Sequence, residues 1–457
     1  MSQAPVDHTL NDNQCFRMNF LDESYVSFEG PMGSMPIVYA MRFGTRVDPL
    51  HLKQVLRELV SANPRMRSVA EPGWHTYHLR VLPDNAIVDA LFEQAWVVDT
   101  SVSANDAAAM EALHTRLHNL CVPIERGLLC RFVFVPDEHA PVFFLYAHHI
   151  VGDGATGQHL VAEMIKRLNG GPPMVFQPME DPPLRQGFGP ERLLDWPRAI
   201  WRSMKHERQV AQTVAAQQVV RLEAARSAYM STHGLRYFDV PVAASRLREV
   251  ARQWKVSLNT LVVLAVSEAF LSLDKDNPQA AAVIRQAMNV RKLYPASRGY
   301  GPLWGNHVGV FLIVETQGKT LQARAQSIKQ QIDESARRYS AKEGFGRYAF
   351  TEIVPWVGRT VLGRIITTMV RQRKLPELSC YISNVGSLND ANPPGATIPL
   401  TEFRISVPSP TLIQVVTELD DTLRMPACWQ LSEVDMDKMD NYLQHLKEAF
   451  LRIASPT

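Results

Sequence analysis

Apolar positions change period along this chain, and each change predicts an element. Residues 35–43 read as a strand. From Asp48 the period becomes helical: Pro49 takes the first helical position, and Leu52, Val55, Leu56 and Leu59 share one face. A second helix is predicted over 104–119. Two β-branched and aromatic runs, 128–135 and 142–149, flank the turn-like PDEHAP and predict a hairpin, from which a helix leaves over Gly154–Leu168. The pattern repeats downstream. Helices are predicted over Leu258–Leu273 and 321–339, and strands over 281–290, 308–314, 379–385, 411–418 and 423–430. A last amphipathic helix carries Val434, Met439, Leu443, Leu446 and Phe450.

Residues 170–190 break this order, with ten Gly or Pro in 21 positions. Such a stretch propagates neither a helix nor a central strand. The expected organisation is therefore a first lobe over 1–175, a linker and bridging helix over 176–215, and a second lobe over 216–457. The fold class is α/β, with each lobe a mixed sheet covered by helices. A cleft between two such lobes is the natural place for a site.

Composition narrows the function classes. With 46% hydrophobic and 21% charged residues in 457, disorder, collagen and coiled coil are excluded. The net charge of +2 supplies no global field, so no nucleic-acid partner is expected. The polar first residues resemble no secretory signal, and the most apolar stretch, residues 261–273, is interrupted by Glu268. A cytoplasmic setting is expected. Cys15, Cys121, Cys130, Cys380 and Cys428 show no CxxC spacing, so neither a zinc site nor a disulfide framework is expected.

The chemistry concentrates where the hairpin ends, in PVFFLYAHHIVGDG. Two histidines close an apolar strand, and neighbouring strand residues face opposite sides, so one of the two looks into a cleft and the other into the body. Gly152 and Gly154 permit a tight path that returns the Asp153 carboxylate toward the histidine, where it either orients an imidazole or braces the loop against a cation.

His148-His149-Ile150-Val151-Gly152-Asp153-Gly154 is an HHxxxDG motif, and it resembles the signature of the condensation-domain and chloramphenicol-acetyltransferase-like superfamily. The segments LDESYV and RVDPLHLKQVLRELVSANPRMRS look like that superfamily's opening strand and helix. GPLWGNHVGVFLIVE and YISNVGSL look like its second-lobe segments around the channel. The resemblance implies two acetyltransferase-like lobes with an active-site channel between them. His149 would be the catalytic base at the channel mouth, with His148 turned away in support. Asp153 would pair with a second-lobe arginine, for which Arg291 is the candidate, and Gly154 would keep the channel floor open. Ser383, Asn384, Gly386, Trp304 and Asn306 are candidates for the channel or oxyanion site. The DFGWG motif of the plant branch is absent. The implied activity is acyl transfer, in secondary metabolism, from a CoA or carrier-protein pantetheine thioester to a hydroxyl or amine of a small-molecule acceptor. A carrier protein would act in trans, and no bound cofactor or metal is implied.

Acyl transfer from a thioester needs a proton removed from the nucleophile, which a neutral imidazole does at pH 7. The donor is already activated, and the chain has no G-x-S-x-G elbow. Other readings compete at the same residues. Gly152 to Gly157 spells GxGxxG, but Asp153 would set a carboxylate against a pyrophosphate, and Glu180 and Asp181 lie in the Pro-rich stretch. A metal site from His149 and Asp153 lacks a third ligand. A wax ester or diacylglycerol synthase-like lipid acyltransferase shares the chemistry, and a carrier-binding module without turnover shares the fold. Two basic segments, ERLLDWPRAIWRSMKHERQ and residues 354–375, carry apolar residues at helical spacing. Packing on their own lobe is the simpler expectation, with a peripheral membrane contact as the alternative.

Overall fold

A computed structural model describes residues 14–33, 35–74, 76–175, 186–187, 189–190, 192–223, 232–294, 304–344, 358–372 and 377–455. Two main sheets organise them. The first has five strands in the order Leu400–Ser406, Pro36–Phe43, Val142–His148, Cys130–Val135, Trp96–Val98, with the last pair parallel and the others antiparallel. The second runs Val308–Thr316, Ala280–Asn289, Cys380–Ser387, Ile413–Leu419, Ala427–Gln430, His233–Arg236, with Gln218–Val219 and Thr422–Arg424 attached. Ala280–Asn289, Cys380–Ser387 and Ile413–Leu419 lie parallel, so this sheet is mixed. A three-stranded sheet of Cys15–Arg17, Tyr77–Val81 and Ser68–Pro72 lies outside both.

The helices form where caps and apolar stripes coincide. Asp48 accepts from the amides of Leu50 and His51, and Pro49–Ala62 buries Leu52, Val55, Leu56 and Leu59. Leu258–Leu273 is buried on nearly every side, and its Glu268 ion-pairs with Arg324 and lies 3.5 Å from Arg452. A charge inside an apolar helix is tolerated only with such partners. Met436–Ala454 packs Met439, Leu446 and Phe450 against it in the second core. Among the described residues, no single helix is long and apolar enough to cross a membrane.

Three expectations are corrected. The segment LDESYV is not a strand: Phe20–Met32 is a helix, because Asn19 caps it through Asp22 N and Asp22 and Glu23 suit its first turn. Residues 423–430 form two short strands, Thr422–Arg424 and Ala427–Gln430. A second lobe of 216–457 does not hold together as a unit of hydrogen bonding. Its strand Leu400–Ser406 leaves to pair with Pro36–Phe43 in the first sheet. The two cores also meet along Ile413–Leu419, where Val415 packs into the first and Val416 into the second. Of the expected linker, residues 176–185, 188 and 191 lie outside the described residues, and Trp196–Ala215 is a helix whose Trp196 and Ile200 share a cluster with Phe20, Leu21, Val290 and Tyr294.

Candidate active site

The strand Val142–His148 ends at the first motif histidine, and His149 lies in the turn that follows, outside the strand alternation the sequence implies. His148 is fully buried. The Ile150 N–H donates to His148 Nδ1 at 3.2 Å, which leaves the ring proton on Nε2, 3.1 Å from Glu29 Oε1. His149 meets the same helix Phe20–Met32 one turn earlier, at Tyr25, and is fixed at both backbone groups. Its N–H donates to the Met35 carbonyl at 2.9 Å, and its carbonyl accepts from Asn306 Nδ2 at 2.7 Å. Its ring stacks on Tyr25, with centroids 3.7 Å apart and planes 10° from parallel.

The imidazole does not stand open at a channel mouth, as the sequence implies; His149 is 7% exposed, with Tyr25 across its face. Burial pushes its pKa down to about 4. Its own carbonyl, Asp153 and Asn306 act in the opposite sense and are outweighed. Nδ1 makes no full hydrogen bond. The ring is therefore neutral at pH 7, the form a proton acceptor needs, at the cost of lower basicity.

Asp153 lies at the start of the helix Gly154–Leu168 and is saturated by four donors. Oδ1 takes the amides of Ala155 and Thr156; Oδ2 takes the His307 N–H at 3.0 Å and Arg291 Nη1 at 2.8 Å. Burial favours the neutral acid, but the Arg291 charge and these hydrogen bonds hold the carboxyl below its usual range. Arg291 Nη2 also donates to Thr156 Oγ1 and to the Gly305 carbonyl. A carboxylate so occupied has no lone pair to offer a metal or a substrate proton. It also fills the helix N-terminus that a dinucleotide would require.

The second-lobe segment around 304–307 is laced into the first. Gly152 and Gly305 form an isolated parallel bridge. Asn306, 1% exposed, spans from the His149 carbonyl to Asp22 Oδ1 at 2.6 Å, and Asp22 ion-pairs with buried Arg65. His307 accepts from Tyr294 Oη at Nδ1 and donates from Nε2 to the Trp304 carbonyl, and burial with the nearby Arg291 charge depresses its pKa to about 3. Trp304 is buried beside His159, while Gly301, Pro302 and Leu303 lie outside the described residues.

The remaining candidates surround the motif helix. A Cβ on Gly154 would fall 2.7 Å from Val385 Cγ2, so its bare backbone admits the second sheet and keeps no floor open, contrary to the expectation. Asn384 Nδ2 donates to Asn259 Oδ1, and Asn384 Oδ1 accepts from Gly386 N across a bulge where Gly386 has φ +99°. Ser383 is half-buried on the same strand. Thus His149, Asp153, Arg291, Trp304 and Asn306 converge; on the neighbouring strand Gly386 lies near Gln158 of the motif helix, whereas Asn384 bonds to Asn259 of the second lobe.

A cavity of about 580 Å³ lies between Trp196–Ala215, Leu321–Ser340 and the edge strand Val308–Thr316. On that edge Val310 bonds to Tyr339 Oη and Val314 to the Gln331 amide. Leu312, midway and in the same phase, turns its N–H and C=O toward the cavity. Tyr339 in its wall packs near Val290 and Tyr294, next to Arg291.

No protein-family model matches this chain, and no curated protein matches it in sequence. Solved structures match over nearly its whole length. The condensation domain from the monacolin K polyketide synthase MokA is 15% identical with a TM-score of 0.68, covering 98% of this chain and 99% of that one. The first condensation domain of the CDA synthetase is 12% identical with a TM-score of 0.67, over 97% and 98%. This chain has the condensation-domain fold. The trichothecene 15-O-acetyltransferase from Fusarium sporotrichioides has it too, at 9% identity, TM-score 0.70 and coverage of 99% and 100%. So does the epimerization domain of tyrocidine synthetase B, at 12% and 0.60, over 97% and 96%. The condensation-domain fold hosts more than one reaction, and the site has to carry the choice.

Sequence reasoning missed Tyr25, Asp22, Arg65 and His307. Asp22 and Tyr25 lay in a segment read as a strand, where their helical spacing of three was lost. Arg65 and His307 carried no pattern signal.

Proposed function

We propose that this chain is an acyltransferase that moves an acyl group from a thioester, on CoA or on a carrier protein's pantetheine arm, to a hydroxyl or amine of a small molecule, with a place in secondary metabolism. His149 is the general base. The observation that carries the reading is the backbone-clamped, neutral His149 ring beside a saturated Asp153–Arg291 pair, in a fold shared with condensation domains and an acetyltransferase. In the reaction the acceptor's proton passes to His149 as its oxygen or nitrogen attacks the thioester carbonyl, and the thiol leaves with that proton. Asp153 takes no part in the transfer; it holds the loop. The strand edge at Leu312 supports an extended donor arm lying in the neighbouring cavity, since an amide of such an arm finds both a donor and an acceptor there.

Tyr25 across the ring favours a second reading, a carrier-binding module without turnover. One experiment separates the two. The protein is mixed with acyl-CoA and acyl-carrier donors and with varied alcohols and amines, and free thiol is followed. Release that falls about 10²–10⁴-fold in His149→Ala supports the enzyme. Release unchanged in that variant removes His149 as base, and carrier binding with no release from any donor supports the module.

A further inference from the structure

The helix Trp196–Ala215 has two unlike faces. Its inner face is occupied: Ala199 and Ser203 are buried, Trp196 and Ile200 pack near Tyr294, and His206, Glu207 and Val210 line the cavity described above. Its outer face is apolar and exposed. Leu194 in the preceding turn is 92% exposed, Trp201 62% and Met204 40%, with Leu193 at 71% beside them. At 3.6 residues per turn, Leu194, Trp201 and Met204 fall on one side. Arg198, Lys205 and Arg208, all exposed, fall among them. Lys205 Nζ sits 5.3 Å from the centre of the Trp201 ring, so cation and indole share one surface. Arg202 is held aside by Glu343 at 3.2 Å. Glu207, the only acidic residue in this helix, is on the inner face; Asp195 stands at its start.

We propose that this face docks onto an anionic lipid surface, with the helix lying in the membrane plane. Leu193 and Met204 are both exposed, so packing on its own lobe, the simpler expectation, accounts for only the inner half of the helix. Three features select the occupant. Three exposed cations on this face, Arg198, Lys205 and Arg208, with the helix's one carboxylate, Glu207, on the other side, call for an anionic partner. The exposed Leu–Leu–Trp–Met set gains nothing from a hydrated polyanion such as nucleic acid, but enters the boundary between headgroups and acyl chains. A second copy of the same face would bring like charges together. The proposal is independent of the acyltransferase reading, because binding is measured without turnover.

The test uses the full chain and sedimenting vesicles, either of phosphatidylcholine alone or of one part phosphatidylserine to two parts phosphatidylcholine. The protein is expected to pellet with the anionic vesicles and to be released by high salt. The pairs Leu194→Ser with Trp201→Ser, and Lys205→Glu with Arg208→Glu, should each weaken binding about ten-fold or more while leaving the thermal melting curve in place. No binding to anionic vesicles, equal binding to neutral ones, or wild-type binding by both variants would overturn the proposal. So would a concentration-dependent dimer that the same substitutions dissociate.

Discussion

The Tyr25 ring lies flat over the His149 imidazole, 3.7 Å between centroids. This contact joins the first helix to the motif and makes the histidine a desolvated group. Replacing Tyr25 with Ala should let water reach the ring. The His149 pKa should then climb from about 4 toward the ordinary 6.5, and its acylation by diethyl pyrocarbonate at neutral pH should accelerate. Reactivity unchanged from the wild type would show that other groups keep the ring dry.

The same depressed pKa sets a pH dependence for turnover. A base works when deprotonated, and His149 is deprotonated above about 4. The acid limb of kcat/KM is therefore expected well below 6.5 if the free enzyme keeps this geometry. An inflection near 6.5 would mean that the working enzyme hydrates His149.

The Asp153–Arg291 pair predicts a separation of stability from chemistry. Both side chains are nearly buried, at 5% and 12% exposure, and removing one partner of such a pair costs about 3–5 kcal/mol. Arg291→Ala should lower the urea midpoint accordingly, whereas Asp153→Asn, which keeps most of the hydrogen bonds, should cost less. In a folded Asp153→Asn variant the acid limb of kcat/KM should move little and only to lower pH, since the lost charge opposed a larger effect of burial on His149. A large or upward shift would show that the carboxylate controls the imidazole by another route.

Gly154 offers a test by paired substitution. Gly154→Ala drives a methyl to 2.7 Å from Val385 Cγ2 and should destabilise the fold by about 1–3 kcal/mol. Val385→Ala in the same chain should recover most of that loss, since it removes the colliding atom. A double variant as unstable as the sum of the singles would place the strain in the helix start instead.

Away from the site, His114, His118 and His233 form a buried group around Ser406, whose Oγ lies 2.8 Å from His114 Nε2 and 3.0 Å from His118 Nδ1. Burial lowers the pKa of all three: His114 to about 3, His233 to about 4, and His118 well below its ordinary value. Unfolded, each takes up a proton near 6.5, so the unfolded chain binds more protons between that value and about 4. Stability from these groups is complete above 6.5 and is lost as pH falls through that window. Each contributes up to about 1.4 kcal/mol per pH unit. Urea titrations at pH 8, 6 and 5 should show the decline, and His118→Gln should make it shallower. A flat profile would refute the neutral buried state.

Several elements were legible because one local signal sufficed. Asp48 with Pro49, the helix Leu258–Leu273, and the strand ending in His148 each announce themselves by cap, period or apolar run, and the motif names the histidine and the aspartate. The strand Leu400–Ser406 was not legible, because nothing within seven residues tells a strand which sheet will take it. Arg291 could be named as a partner only through the resemblance, since 138 residues separate it from Asp153.

What the sequence determined by itself is local: the helices and strands that carry their own cap, period or apolar run, and that His148, His149 and Asp153 share one strand–turn–helix. Tertiary structure alone decided that Tyr25 covers His149, that Asn306 ties its carbonyl to Asp22, that Val385 fills the space above Gly154, and that Trp201 is left outside. The physical reason is range. Caps and periodicities act over a few residues of chain, whereas desolvation and ion pairing depend on neighbours that only the folded packing brings together.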